Sequence, residues 1–360
     1  MKSKERLISE LMLEEADTVP VSIRLNPNTS HMLGDTFFRW ALKHTDSIFR
    51  LGLGEGIFYS SKTRYHVQRL KVNKEQLIQK ITIETPKGPL TCLTRITKWG
   101  SDWTIKPFIE NENDIEKFLS IPDESFKPDI HTYLKLKRSV NNYCLIFITL
   151  SDAIGVVASL FKLNTFLKYC LTRLDLIKEM VYSVAGRIES YIEYLLAKGV
   201  GPVYEIFGPE YVSQTFLRPE YFKELVLGVD RKLVKLIHEY GYLVGMHCHG
   251  RIRSVLNDIA NTGFDALHPI EEPPRGDITL SEAKELVGHK IFLIGNIPHG
   301  LLEKGTSNEV REFCLYAIKS AAPGGGYIME PTATPLKSTK KENLIELVKT
   351  GRRYGKYPLC

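Results

Sequence analysis

From about residue 143 onward, short apolar runs alternate with longer stretches whose apolar positions recur at helical spacing. Tyr143-Cys-Leu-Ile-Phe-Ile-Thr-Leu150 is apolar almost throughout, the pattern of a strand covered on both faces in a parallel sheet. Helical patterns at 156–171 and 176–198 follow, the second stopping before Gly199-Val-Gly-Pro202. Val203-Tyr-Glu-Ile-Phe207 reads as the next strand. A helix over 219–240 feeds a strand at 242–248, and a further helix feeds Ala266-Leu-His268. A helix at 281–286, with Ser281 as N-cap before Glu282, leads to Ile291-Phe-Leu-Ile-Gly295. A helix at 309–320 leads through Pro323-Gly-Gly-Gly326 to Tyr327-Ile-Met329.

The first part of the chain is less regular. Residues 1–18 are charged and helix-prone, with leucines at Leu7, Leu11 and Leu13, and lead into a strand at 19–25 with Arg24 near its end. A polar loop at 26–30 and a short helix at 37–42 come next, then a weak strand signal between 48 and 59. The glycines there (Gly52, Gly54, Gly56) lack the G-x-x-x-x-G-K-[ST] spacing of a phosphate loop and read as close packing or turns. Between 64 and 109 the period changes to two, with Pro86-Lys-Gly-Pro89 as a turn, so an inserted β-hairpin is expected, packed on the rest by Trp99 and Trp103. A short helix at 111–119 and a linker at 122–128 complete this part.

Eight strand candidates, six of them alternating with helices, argue for one domain over residues 1–360, a (β/α)8 TIM barrel with that hairpin in its N-terminal part. No G-x-G-x-x-G follows a strand, which argues against a dinucleotide-binding sheet. Composition adds little: 48 basic against 42 acidic residues give a net charge of +6 with no long basic run, so no nucleic-acid partner is expected. Scattered cysteines without a C-x-x-C pair, no apolar leader and no long apolar span suggest a reduced, cytoplasmic protein without a membrane partner.

In a barrel, chemistry collects at the C-terminal ends of the strands. There the chain places Arg24, Asp152, Glu205, His247 and His249, His268 with Glu271-Glu272, Asn296 and Glu330. His247 and His249 are two residues apart at a strand end, so both can face one point, a metal-ligand spacing, while Cys248 faces away unless it ligates out of register. Glu330, before Pro331, is the carboxylate expected to complete that set, with Glu205 as the alternative. Glu205 also reads as a general base or as a residue paired to a neighbouring strand. Asp152 reads as a catalytic acid or, more often in such a place, as a helix cap. Arg24, Asn296, His268 and Glu272 are candidates for holding substrate; loop shape is the plain alternative for His268 and Glu272 beside Pro273-Pro274.

Taken in series, Glu205-Ile-Phe-Gly208 with Arg218-Pro-Glu-Tyr-Phe222, Met246-His-Cys-His-Gly250, His268-Pro-Ile-Glu-Glu-Pro-Pro274, Gly295-Asn-Ile297 and Pro323-Gly-Gly-Gly-Tyr-Ile-Met-Glu-Pro331 resemble the uroporphyrinogen decarboxylase superfamily, over roughly 143–334. The resemblance implies a (β/α)8 barrel and one of two activities. Decarboxylases of that family carry an arginine-rich N-terminal signature for the substrate carboxylates; this chain has Ser22-Ile-Arg-Leu25 instead, with Arg251 and Arg275 as further mouth arginines. The other branch comprises methyltransferases that work with corrinoid proteins, the thiol-accepting ones binding zinc through His-x-Cys and a later Cys. Mapped here, His247 matches the first ligand, His249 replaces the cysteine, and Ala333 lies about where the second would fall. The expectation is a methyltransferase-like enzyme with zinc and with a corrinoid on a separate partner protein, because the chain has no D-x-H-x-x-G cobalamin segment; a homodimer is a further expected partner. Cofactor-free decarboxylation of uroporphyrinogen and a non-catalytic barrel that binds a small ligand are the alternatives.

Overall fold

The computed structural model describes residues 1–72, 76–97, 103–140 and 144–359. Its strands are β1 (Ser47–Leu51), β2 (Arg64–Lys71), β3 (Gln76–Glu84), β4 (Leu90–Thr97), β5 (Trp103–Lys106), β6 (Cys144–Ser151), β7 (Val203–Phe207), β8 (Leu243–His247), β9 (Ala266–His268), β10 (Phe292–Ile294) and β11 (Tyr327–Ile328). Seven of them form one parallel sheet in the order β1-β6-β7-β8-β9-β10-β11, with helices between successive members. The fold is thus α/β, with every crossover of the main sheet joining neighbours from β6 onward.

The segment before β1 touches both ends of this sheet. Ser22 N donates to Met329 O at 3.0 Å, and Arg50 N donates to Leu25 O at 2.8 Å. Parallel bridges Val21↔Met329 and Leu25↔Phe49 mark the same two contacts. The strand expected at 19–25 is therefore present only as separate bridges. Pro20 has no N–H to offer a ladder, and Arg24 has φ +59°, which turns the backbone out of the extended region.

Alternation along the strands sorts the inner face into two levels. Ile48, Phe147, Val203, Ala266, Phe292 and Ile328 form an apolar level, closed from below by Leu7 and Leu11 of the helix Ser3–Leu11. Two residues further along five of these strands stand Arg50, Thr149, Glu205, His268 and Glu330, while Ile294 on β10 stays apolar. The outer faces of the strands pack with the surrounding helices in the larger core. A polar layer thus rests on an apolar plug.

The insertion is larger than a hairpin: β2-β3-β4-β5 make a four-stranded antiparallel sheet, with the expected turn between β3 and β4. Trp103 is 70% exposed, so it does not pack this sheet onto the main one, and Trp99 lies outside the described residues, as does Tyr143. The helix expected at 156–171 is two, Ala153–Ser159 and Leu163–Thr172. The one expected at 219–240 has a π-helical turn, Lys223–Leu227, between Pro219–Phe222 and Gly228–Glu239. The helix Leu280–Val287 is capped by Thr279, not Ser281: Thr279 Oγ1 accepts from Glu282 N at 3.2 Å while Glu282 Oε2 accepts from Thr279 N at 2.9 Å, a reciprocal capping box. Among the described residues no single helix is long and apolar enough to cross a membrane.

Candidate active site

The centre of the polar layer is Arg50, the fourth residue of β1. Its Nε lies 2.8 Å from Glu205 Oε2, and its Nη1 and Nη2 lie 2.9 and 2.7 Å from the two oxygens of Glu330. Its guanidinium carbon lies 5.5 Å from the centre of the Phe147 ring. One planar fork therefore joins β7 to β11 through two carboxylates, a task that suits guanidinium and not ammonium. Ser22 Oγ donates to Glu330 Oε1 at 2.7 Å. Burial opposes the charge on Glu205, yet Arg50 and then Arg24 overcome it and hold the carboxyl down at about 2.

Arg24 reaches the same layer from the segment that bridges the sheet edges. Its Nη1 lies 3.1 Å from His268 Nδ1 and its Nη2 lies 3.3 Å from His247 Nδ1, with Glu205 and Glu330 each 3.6 Å away. The two imidazoles stack at 15° with Nδ1 atoms 2.7 Å apart. Burial, then the Arg24 charge, pushes both histidines well below their usual range, so both are neutral. Burial and the nearby Arg50 push Arg24 itself down to about 10. With two guanidiniums, two carboxylates and neutral imidazoles, the cluster carries no net charge, which is what allows it to be buried.

Donor atoms of Glu205, His247 and His268 all lie within 4.8 Å of one another. Two neutral imidazoles and a carboxylate are a donor set that zinc and similar ions accept. The residues fit such an ion in kind and spacing. The guanidinium of Arg24 faces the same atoms, so an ion and Arg24 compete for one place.

The residues expected from the sequence divide accordingly. Arg24, Glu205, His247, His268 and Glu330 come together. His249 adjoins His247, with ring centres 4.8 Å apart, but its Nδ1 faces Glu271 Oε2 at 3.2 Å. Glu330 is taken up by Arg50 and Ser22. Cys248 is fully buried on the opposite face of the chain, and burial pushes its thiol well up, so it stays protonated. Asp152 lies outside the cluster and caps a helix, its Oδ1 accepting from Ile154 N at 2.9 Å. Burial pushes Asp152 up to about 7. Burial and the nearby Asp152 charge push the Asp230 carboxyl well above the usual carboxylate range. Glu272 braces a loop, accepting from Tyr316 Oη at 2.7 Å, Leu280 N at 2.9 Å and Asn296 Nδ2 at 3.3 Å. Asn296 is buried beside it, its Oδ1 without a partner.

Arg50 was missing from the sequence reading. Its signal was a charged residue alone in the apolar Ser47-Ile-Phe-Arg-Leu51 run, masked by the glycines that follow.

Residues 104–354 match the family described as uroporphyrinogen decarboxylase (URO-D). The chain belongs to this family. Among curated proteins it is 25% identical over 203 residues to the methylcobamide:CoM methyltransferase MtaA of Methanosarcina barkeri strain Fusaro, and 24% identical to a second M. barkeri protein of that name. The match spans 56% of this chain and 56% of each of those relatives. Among solved structures, a methyltransferase from Methanosarcina mazei superposes with a TM-score of 0.66 over 98% of this family member and 99% of that chain, at 16% identity, a likeness of fold. Both curated relatives bear a methyltransferase name.

Proposed function

We propose that this protein is a methyltransferase of the uroporphyrinogen decarboxylase family that moves a methyl group between a small substrate and a corrinoid carried by a second protein. The observation that carries the reading is the convergence of Glu205, in the middle of β7, with His247 and His268 at the C-terminal ends of β8 and β9. We read the bridging segment at 19–25 as the eighth member that closes a (β/α)8 barrel, which puts this cluster at the bottom of the barrel mouth. A resident ion such as zinc, held by these three residues, would supply Lewis-acid polarisation of the substrate heteroatom. The chain's own residues set the stage for it. Arg50 keeps Glu205 ionised and fixed, while burial keeps both imidazoles in the unprotonated form that can ligate. With Arg24 in place a dication would leave the cluster at a net +2, and with Arg24 withdrawn at +1, so an ion held there would favour withdrawal of Arg24. The methyl group moves without its bonding pair, which stays on the substrate heteroatom; the acceptor supplies the pair for the new bond.

Arginines that face outward to grip several carboxylates would support decarboxylation of uroporphyrinogen. Here Arg24 and Arg50 are already committed to Glu205 and Glu330. The test is metal content and methyl transfer, measured on untagged protein and on a His247→Ala, His268→Ala variant. About one equivalent of zinc bound by the parent, lost in a folded variant together with methyl transfer to a corrinoid protein, is the expected result. A parent that binds no zinc on titration, or that decarboxylates uroporphyrinogen after chelation, sinks the proposal.

A further inference from the structure

A cavity of about 410 Å³ opens beside the cluster, between the β1–β2 loop and the ends of β6 and β7. Phe58, Phe207 and Tyr211 supply its aromatic wall, and Glu55 and Glu210 its charge; among the described residues no lysine, arginine or histidine lines it. Phe207 pairs in register with His247, so the cavity adjoins the proposed reaction site.

Its two carboxylates are differently placed. Glu55 is held by Ser151, whose N and Oγ donate to Oε1 and Oε2 at 2.8 and 2.9 Å. Glu210 Oε2 is buried with no hydrogen-bond partner. Burial pushes the Glu210 carboxyl up; the nearby His249 opposes this and Glu271 adds to it. A buried carboxylate oxygen without a donor is costly, and a ligand cation offsets that cost. Gly155 and Gly208 also line the cavity, offering bare backbone. A Cβ on Gly155 would lie 3.0 Å from Gly208 Cα, so the two segments meet there only because both residues are glycine, and Gly208 has φ +115°.

Aromatic faces attract cations through the ring quadrupole, most effectively cations that carry methyl groups instead of N–H donors, because these lose little hydration and fill an apolar wall. Carboxylates on either side add long-range attraction and turn anions away. We infer that this cavity binds the methylated ammonium group of a small substrate, seated between Glu55 and Glu210 against Phe58, Phe207 and Tyr211. The inference names a recognition group on the substrate and rests on the function proposed above; a quaternary nitrogen has no free pair for an ion to polarise, so the heteroatom that the ion would polarise lies elsewhere in the same molecule, while binding itself needs neither metal nor corrinoid.

Calorimetric titration of chelator-treated, full-length protein tests it with choline, its neutral isostere 3,3-dimethylbutan-1-ol, and ethanolamine. Choline is expected to bind about tenfold or more tightly than either of the others. Glu210→Gln and Phe207→Ala, each checked for an unchanged circular dichroism spectrum, are expected to weaken choline by about fivefold or more. Equal affinity for choline and the neutral isostere, equal affinity for ethanolamine, no choline binding, or choline binding untouched in both folded variants each overturns the assignment. Because the protein is metal-free throughout, failure here leaves the zinc measurement standing, and failure of that measurement leaves this one.

Discussion

Nη1 of Arg24 lies 3.1 Å from Nδ1 of His268, so a guanidinium covers one of the nitrogens that would otherwise meet an ion. Arg24 holds this position from a backbone with φ +59°, a conformation that side-chain-bearing residues seldom adopt and that the surrounding structure must sustain.

Arg24→Gly removes the competing cation and relieves the backbone at the same time. Affinity for zinc, measured by competition with a chelator of known strength, is expected to rise by about tenfold. Unchanged or weaker binding in a folded variant would show that the guanidinium does not compete for the site.

Arg50 has the opposite role. Arg50→Met strands Glu205 and Glu330 without their shared partner, and stability in urea is expected to fall by about 3–5 kcal/mol. Arg50→Lys restores the charge but not the fork and is expected to recover only part of the loss. A loss below about 1 kcal/mol for Arg50→Met would mean that the carboxylates find other partners or take up protons at little cost.

Glu10 offers a pH readout remote from the site. Burial, only partly offset by the bond from Tyr327 N at 3.0 Å, pushes its carboxyl from 4.5 up to about 7. The folded chain keeps this proton up to about 7, while the unfolded chain releases it near 4.5. Stability from this group is therefore full below the lower value and is lost as pH rises through the upper one, by roughly 3 kcal/mol in all. Glu10→Gln is expected to flatten that fall, read as urea midpoints at about pH 5 and about pH 8. An equally steep fall in the variant would assign the dependence to other groups, of which Asp152 and Asp230 are the first candidates.

His247 and His268 were legible because each closes an apolar run, and Glu205 because it is a lone charge inside one; a polar residue so placed has few uses other than chemistry or pairing. Which partners each one takes was not. His249 has the same two-residue spacing from His247 that ligands need, yet the chain turns after β8 and hands it to Glu271. His268 looked like a substrate contact or a loop residue; the register of β8 against β9, which pairs it with His247 and leaves no mark in the sequence, puts its ring on that of His247. The insertion was read as two strands because β2 carries Tyr65, Val67 and Leu70 exposed on an edge, where apolar alternation does not track burial. The π-helical turn at Lys223–Leu227 leaves no mark on a helical period, and Thr279 lost the N-cap to Ser281 in the sequence because both are good caps.

The bond from Ser22 to Glu330 spans 308 residues, and that from Arg50 to Glu330 spans 280. During synthesis from the N-terminus, both arginines exist long before the second carboxylate does. Until β11 arrives, two guanidiniums share one acidic partner, an arrangement that resists burial; its arrival supplies the missing charge and bonds the sheet to the opening segment in a single event. The last strand made is thus what lets the first part of the chain settle, and completion of the fold and neutralisation of the site are one step.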